Sequence, residues 1–262
     1  METIKIEELH KKYCDEVEKI SIKGFDKINL RQLLFLDLYS MLQINPSLKL
    51  GASFISALCR NHFSCKRINQ GENVIVLSVE ELRNDYILQW EGVKSVLPRY
   101  TELVVNKNAK AKLLSISKVI GRFVHTLSWN NSLKFIRNRK HRLYLLLVLL
   151  YHFDELLYLN KLDWKGKKLG LVFFDSGHFE NIFVQKCKIE KVKTITLQHG
   201  QPLYRGELVD RYNQATILNM TADVSICRGQ FSKQQFLKYN VDERRVPVLG
   251  EITENHIALS KT

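Results

Sequence analysis

Several common signatures are missing from this chain. Its five cysteines (Cys14, Cys59, Cys65, Cys187 and Cys227) are odd in number and form no CxxC pair. That argues against a disulfide framework or a structural zinc site and favours a reducing cytoplasm. Proline and glycine together number sixteen of 262 residues, too few for a disordered or low-complexity chain. The longest apolar run, LYLLLVLLYHF from Leu143 to Phe153, falls short of the about 20 residues a bilayer-crossing helix needs. The start METIKIEELHKKYCDEVEK alternates acidic and basic residues with no apolar core, unlike a signal peptide; a soluble or peripheral protein is expected. There is no GxxxxGK[ST] loop, GxGxxG turn or GxSxG elbow, which disfavours an ATPase, a standard dinucleotide enzyme and a serine hydrolase. No HxH or HExxH spacing suggests a metal.

One further absence is local. Between Leu103 and Phe153 there is no Asp or Glu, while ten Lys and Arg fall in that window. Much of the net charge of +13 therefore sits in one segment, and an anionic partner is implied.

What is present reads as an α/β fold. KLGLVFFD (168–175) is an apolar run between a charged turn and SGH, as in a buried strand. A helical spacing of Ile182, Phe183, Cys187 and Ile189 follows, then the strand KTITLQHG, the helix-like ELVDRYNQATILNM and the strand ADVSICRG. FSKQQFLKYN opens with a Ser232-x-x-Gln235 capping box, and RRVPVLGEI is a short strand. Strand and helix alternate with short connections, which predicts a Rossmann-like parallel sheet with right-handed crossovers. NVIVLS (73–78) and TELVVN (101–106) are two earlier strands, with Ser78-x-x-Glu81 as a helix cap between them. Residues 1–70 read as a helical extension, 71–252 as the Rossmann-like domain, and 253–262 as a tail.

The candidate chemistry lies at strand ends, where open α/β sheets present reactive groups. His199 follows the strand KTITLQ; Gly200 permits a tight turn and Pro202 stiffens it. Imidazole has an ordinary pKa of about 6.5 and serves as a general base near neutrality. A strand-end histidine bonded to a loop carbonyl fits the same pattern. His178, one strand earlier in FFDSGHFEN, precedes a helix whose N-terminus faces an anion well; Asp175 and Glu180 flank it, placed to orient the ring, and a solvated histidine at a helix start is the plainer reading. If the two strands are neighbours, His178 and His199 line one cleft. Arg205 and Arg228 follow strand ends and suit either phosphate or plain solvent.

TLQHGQPLY, framed by the strands on either side and by ADVSICRGQFSKQQFLKYNVDERRVPVLG, resembles the N-terminal domain of GT-B glycosyltransferases. The similarity is to capsular and exopolysaccharide enzymes and to teichoic-acid polymerases. Those polymerases carry a Trp-His-Gly-Thr-Pro-Leu motif whose histidine is the base; His199, Gly200, Pro202 and Leu203 match it, while Gln198 and Gln201 replace the Trp and Thr. The resemblance covers about residues 165–252 and implies transfer of a sugar from a nucleotide-sugar to a lipid-linked or saccharide acceptor, with no cofactor. It implies His199 as catalytic base; by their positions at the strand ends, His178, Gln198, Gly200, Arg205 and Asp175 are the candidate substrate-binding residues. It also implies a second Rossmann domain after Gly250, where only EITENHIALSKT remains, so that a separate domain or subunit is expected to complete an active enzyme. A non-catalytic subunit of a transferase complex and a nucleic-acid-binding α/β protein are the alternatives.

The acid-free segment contains KAKLLSISKVIGRFVHTL. As a helix it gathers Leu113, Ile116, Ile120, Phe123, Val124 and Leu127 on one face, with Lys110, Lys112, Lys118 and Arg122 largely on the other. Lys134, Arg137, Arg139, Lys140 and Arg142 follow in KFIRNRKHR. Three readings stand: a solvated basic face over a buried apolar one, an anionic membrane surface as partner, and nucleic acid. No helix-turn-helix, RRM or KH signature accompanies the charge. In GT-B enzymes with lipid-linked acceptors the N-terminal domain meets the membrane, so the resemblance implies a peripheral protein on its inner face.

Overall fold

A computed structural model describes residues 2–43, 49–69, 71–79, 84–97, 99–106, 110–198, 204 and 214–250. The first sixty residues form helices α1 (Glu2–Glu18), α2 (Leu30–Leu33), α3 (Phe35–Gln43) and α4 (Leu50–Cys59). Strands β1 (Arg60–Asn61), β2 (Cys65–Ile68) and β3 (Val74–Val79), helix α5 (Asn84–Val96), and strands β4 (Tyr100–Val105) and β5 (Lys112–Leu113) follow. Two long helices, α6 (Ile116–Ser132) and α7 (Arg139–Leu159), lead into β6 (Leu169–Val172), α8 (His178–Ile189), β7 (Lys193–Leu197), α9 (Ala215–Leu218), β8 (Val224–Ile226) and α10 (Gln230–Lys238).

Six of these strands make one sheet in the order β2-β4-β3-β6-β7-β8, with β2 antiparallel to β4 and the other neighbours parallel. The fold is α/β and Rossmann-like, as the strand–helix alternation predicts. Period-two alternation splits the apolar side chains between two faces. Ile75, Leu77, Leu103, Val105 and Val172 enter a large core with α1–α4 and α6–α8. Val74, Val76 and Leu171 pack against Trp90 and Val93 of α5 on the other side. The chain thus winds outward from β3 in both directions, to β4 by way of α5 and to β6 by way of α7. β3 and β6 flank the point where the winding reverses, which is where such sheets bind ligands, at the carboxyl ends of the strands.

Local choices support this arrangement. Asn138 caps α7, its Oδ1 accepting the Lys140 and His141 amides at 2.9 and 3.3 Å. The run Leu145–Leu150 is buried throughout, because α7 packs against α3, α4, α6 and α8 at once. Helix α8 carries Glu180 in its first turn and Lys186 and Lys188 in its last, which complements its macrodipole. It lies close on the sheet: a Cβ on Gly170 would sit 2.8 Å from Cys187 Sγ. Cys14, Cys187 and Cys227 are buried free thiols, fitting the small-hydrophobe role.

Several sequence expectations are corrected. Residues 65–68 are not part of a purely helical extension; they form the sheet's edge strand β2. Ser232 lies inside α10, whose N-cap is Gly229 without a side-chain bond, and Gln235 instead accepts the Tyr204 amide at 2.8 Å. Ser78 belongs to β3 and donates to Glu102 Oε1 at 2.8 Å. The expected final strand is reduced to an isolated bridge between Cys227 and Val248.

Candidate functional site

A cavity of about 450 Å³ opens at the point where the sheet winding reverses. Val79 ends β3 and Val105 ends β4 at its floor, and the first turn of α8, His178 to Glu180, forms one wall. Tyr144, Tyr151, His152 and Glu155 of α7 also line the cavity, together with Asp37, His62 and Phe63. Aromatic faces and a few polar groups together suit a ligand with both C–H surface and hydroxyls.

His178 sits at the mouth, exposed. Its backbone has φ of +50°, a region that histidine visits more readily than most side chains but at some cost. Gly177 precedes His178 because a Cβ there would lie 2.6 Å from Leu36 Cδ1, so the helical N-terminal region presses on this turn.

Deeper in, His152 is buried between two carboxylates. Its Nε2 lies 3.2 Å from Asp37 Oδ2 and its Nδ1 2.6 Å from Glu155 Oε2. Burial works against charging the ring, but the two carboxylates outweigh it and raise its pKa to about 10. This imidazolium is a fixed charge at neutral pH and holds the cavity wall in place; it is not a base. His62 Nε2 approaches Ser56 Oγ at 3.2 Å, and its ring stands edge-on to Tyr151.

The sequence-derived candidates separate. His199, Gly200 and Arg205 lie outside the described residues. The strands that carry the two histidine motifs, β6 and β7, are paired neighbours, but Gln198 at the end of β7 lines a separate small cavity with Gln89 and Arg228 rather than the one that holds His178. Gln198 is buried at the end of β7, where its Oε1 accepts the Arg228 amide at 2.8 Å; it ties β7 to β8. Arg228 reaches Gln89 Oε1 at 2.8 Å. Asp175 does not orient His178. Its carboxylate is buried and accepts the amides of Thr221 and Ala222, both at 2.6 Å. Burial raises its pKa against those two bonds. Asp175 clamps the loop before β8 and is itself buried, 2 % exposed.

The basic segment needs a larger correction. Arg122 faces inward: it is paired with Asp154, and its Nη1 donates to the carbonyls of Ala57 and Arg60. Burial pushes the Asp154 carboxyl up to about 6 even with the guanidinium against it. Thr126 and Trp129 share this buried side, the indole N–H donating to Lys23 O at 2.9 Å. The outward side is the apolar one, with Ile116 79 %, Ile120 58 %, Phe123 53 % and Leu127 52 % exposed. Lys110, Lys118, Arg137, Arg139 and Lys140 are exposed and Arg142 is half-buried. A second cavity, of about 460 Å³, lies between α6 and α7, with Lys118, Lys161, Arg122 and Asp154 among its lining.

Periodicity gave no notice of Asp37, His62, His152 and Glu155. A usable signal was His152, Asp154 and Glu155 interrupting the apolar run of α7, since polar groups in a buried helix need partners. Among the described residues no group of three or more His, Cys, Asp or Glu is arranged to hold a metal ion, and no helix is long and apolar enough to cross a membrane. Fold and cavity together define the class: a doubly wound α/β protein with a ligand-sized pocket where its winding reverses. No protein-family model matches the chain, and no curated protein does.

Proposed function

We propose that this chain is the acceptor-side domain of a sugar transferase of bacterial surface-polysaccharide synthesis, working at the inner face of the membrane. One observation carries the reading. The two histidine motifs end adjacent parallel strands, β6 and β7, and His178, after β6, lines a pocket of about 450 Å³ at the carboxyl ends of the strands. The acceptor sugar sits in that pocket, with ring C–H groups on Tyr151 and Phe179 and hydroxyls at Glu155 and Glu180. His199 removes the proton of the attacking hydroxyl as its oxygen bonds to the anomeric carbon of the nucleotide-sugar. The bond from that carbon to the diphosphate breaks, and the nucleoside diphosphate leaves with its electron pair. The positive end of α8 faces the pocket and favours that developing charge.

The test is transfer from a panel of nucleotide-sugars in the presence of the chain's native membrane fraction, which supplies acceptor and any further transferase domain. Release of nucleoside diphosphate and glycosylated lipid are both read. His199→Ala is expected to lower the chain-dependent rate by about 10²-fold or more, the usual worth of a positioned base. A rate unchanged by His199→Ala sinks the reading.

A further inference from the structure

The outward face of α6 presents large apolar side chains to solvent. Leu113, Ile116, Ile120, Phe123, Val124 and Leu127 are each more than half exposed. From Ile116 to Leu127 they form a continuous stripe about 16 Å long at 1.5 Å per residue. Scattered exposed apolar residues need no explanation, but a contiguous stripe marks a contact surface. The helix is held in this orientation from beneath. The buried Arg122–Asp154 pair, the Arg122 bonds to two carbonyls and the Trp129 bond to Lys23 O fix which side faces in. The apolar side cannot turn inward without stranding a buried charge.

The charge around the stripe selects the occupant. Lys110, Lys112 and Lys118 lie at its N-terminal end and Lys134, Arg137 and Arg139 at its C-terminal end, all exposed. No acidic residue occurs anywhere from Leu103 to Phe153. A second copy would bring the same positive field against itself. Duplex nucleic acid would meet the charge but leave six large apolar side chains against phosphate. An apolar stripe framed by cations matches the interface of an anionic bilayer, where the side chains enter the headgroup boundary and the cations meet lipid phosphate. We propose that α6 docks this chain flat on an anionic membrane surface through its apolar stripe. This deepens the placement at a membrane but is independent of the transfer chemistry.

The experiment is flotation of the full chain with vesicles of phosphatidylglycerol mixed with phosphatidylcholine, against phosphatidylcholine alone, with no sugar donor present. Failure here and failure of sugar transfer are therefore separate results. Binding is expected only to the anionic vesicles and is expected to weaken with salt. Phe123→Asp and Leu127→Asp are expected to lower it about tenfold or more each, the worth of withdrawing one large apolar side chain. Their melting temperatures are expected to stay within a few degrees of the wild-type value, because each residue is already more than half exposed. No binding to anionic vesicles, equal binding to both vesicle types, or binding indifferent to both substitutions overturns the proposal. So does a wild-type dimer that Phe123→Asp converts to monomer, or tighter binding to duplex DNA that ignores Phe123.

Discussion

The buried His152 makes stability depend on pH in a defined direction. Its ring is flanked by Asp37 from α3 and Glu155 from α7, with His62, His178 and Glu180 around the same cavity. Folding raises its pKa from an ordinary 6.5 to about 10. A tenfold change in proton affinity is worth about 1.4 kcal/mol, so the folded state gains up to about 5 kcal/mol from holding this proton. The gain is complete below the unfolded value of 6.5, where both states are protonated and only the folded one has the carboxylates around the ring. It declines as pH rises from 6.5 to about 10, because the unfolded chain has released its proton and the folded one has not. The slope in that window approaches about 1.4 kcal/mol per pH unit, or roughly 2.5 kcal/mol between about pH 7 and about pH 9. At about 2–4 °C per kcal/mol for a chain of this size, the wild type should lose about 5–10 °C over that interval. His152→Gln keeps a side-chain N–H but has no titrating proton. It leaves two carboxylates without their cation and should be less stable by about 3–5 kcal/mol at neutral pH. The measurement is urea unfolding of both proteins at several pH values. Titrations of groups that do not contact His152 are common to both and cancel in the difference, and at pH values above the range where Asp37 and Glu155 take up protons the remaining dependence is that of His152. The stability difference should shrink as pH rises; a difference that stays constant refutes the assignment of the proton to His152.

Two further outcomes follow from packing. Asp154→Ala leaves the Arg122 guanidinium buried without its carboxylate and should cost about 3–5 kcal/mol in urea unfolding, whereas replacing both partners by Met and Leu should recover most of that loss; equal losses in the single and double variants would show that the pair is not coupled. Gly170→Ala pushes a Cβ to within 2.8 Å of Cys187 Sγ and should cost about 1–3 kcal/mol, an effect that Cys187→Ala in the same chain should largely relieve.

The central strands were readable because parallel strands buried on both faces are near-continuous apolar runs, as in VIVLSV and LGLV. Strand β2, CKRI, carries no such run and has three of its four residues exposed; it joins the sheet only through its pairing with β4, a contact no local pattern encodes. The orientation of α6 was hidden for a different reason. Apolar periodicity gives the axis of a helix's two faces but not which one is covered. Here the partners of Arg122 decide, and they lie 32 to 65 residues away in sequence. The candidate pocket divides in the same way. His178 could be found because it follows a legible strand, while Asp37 and His152 meet across 115 residues.

Helix α7 commits four consecutive residues to separate contacts. His152 holds Asp37, Phe153 lies among Phe25, His125 and Trp129, Asp154 takes Arg122, and Glu155 returns to His152. An ordinary helical turn on a protein surface offers at least one position that drifts freely over generations; this turn offers none. Substitutions that enter here must arrive in matched sets, with the partner on a distant helix changing alongside. The stretch from His152 to Glu155 should therefore be among the slowest-evolving in the chain, whether or not any of the four ever touches a ligand.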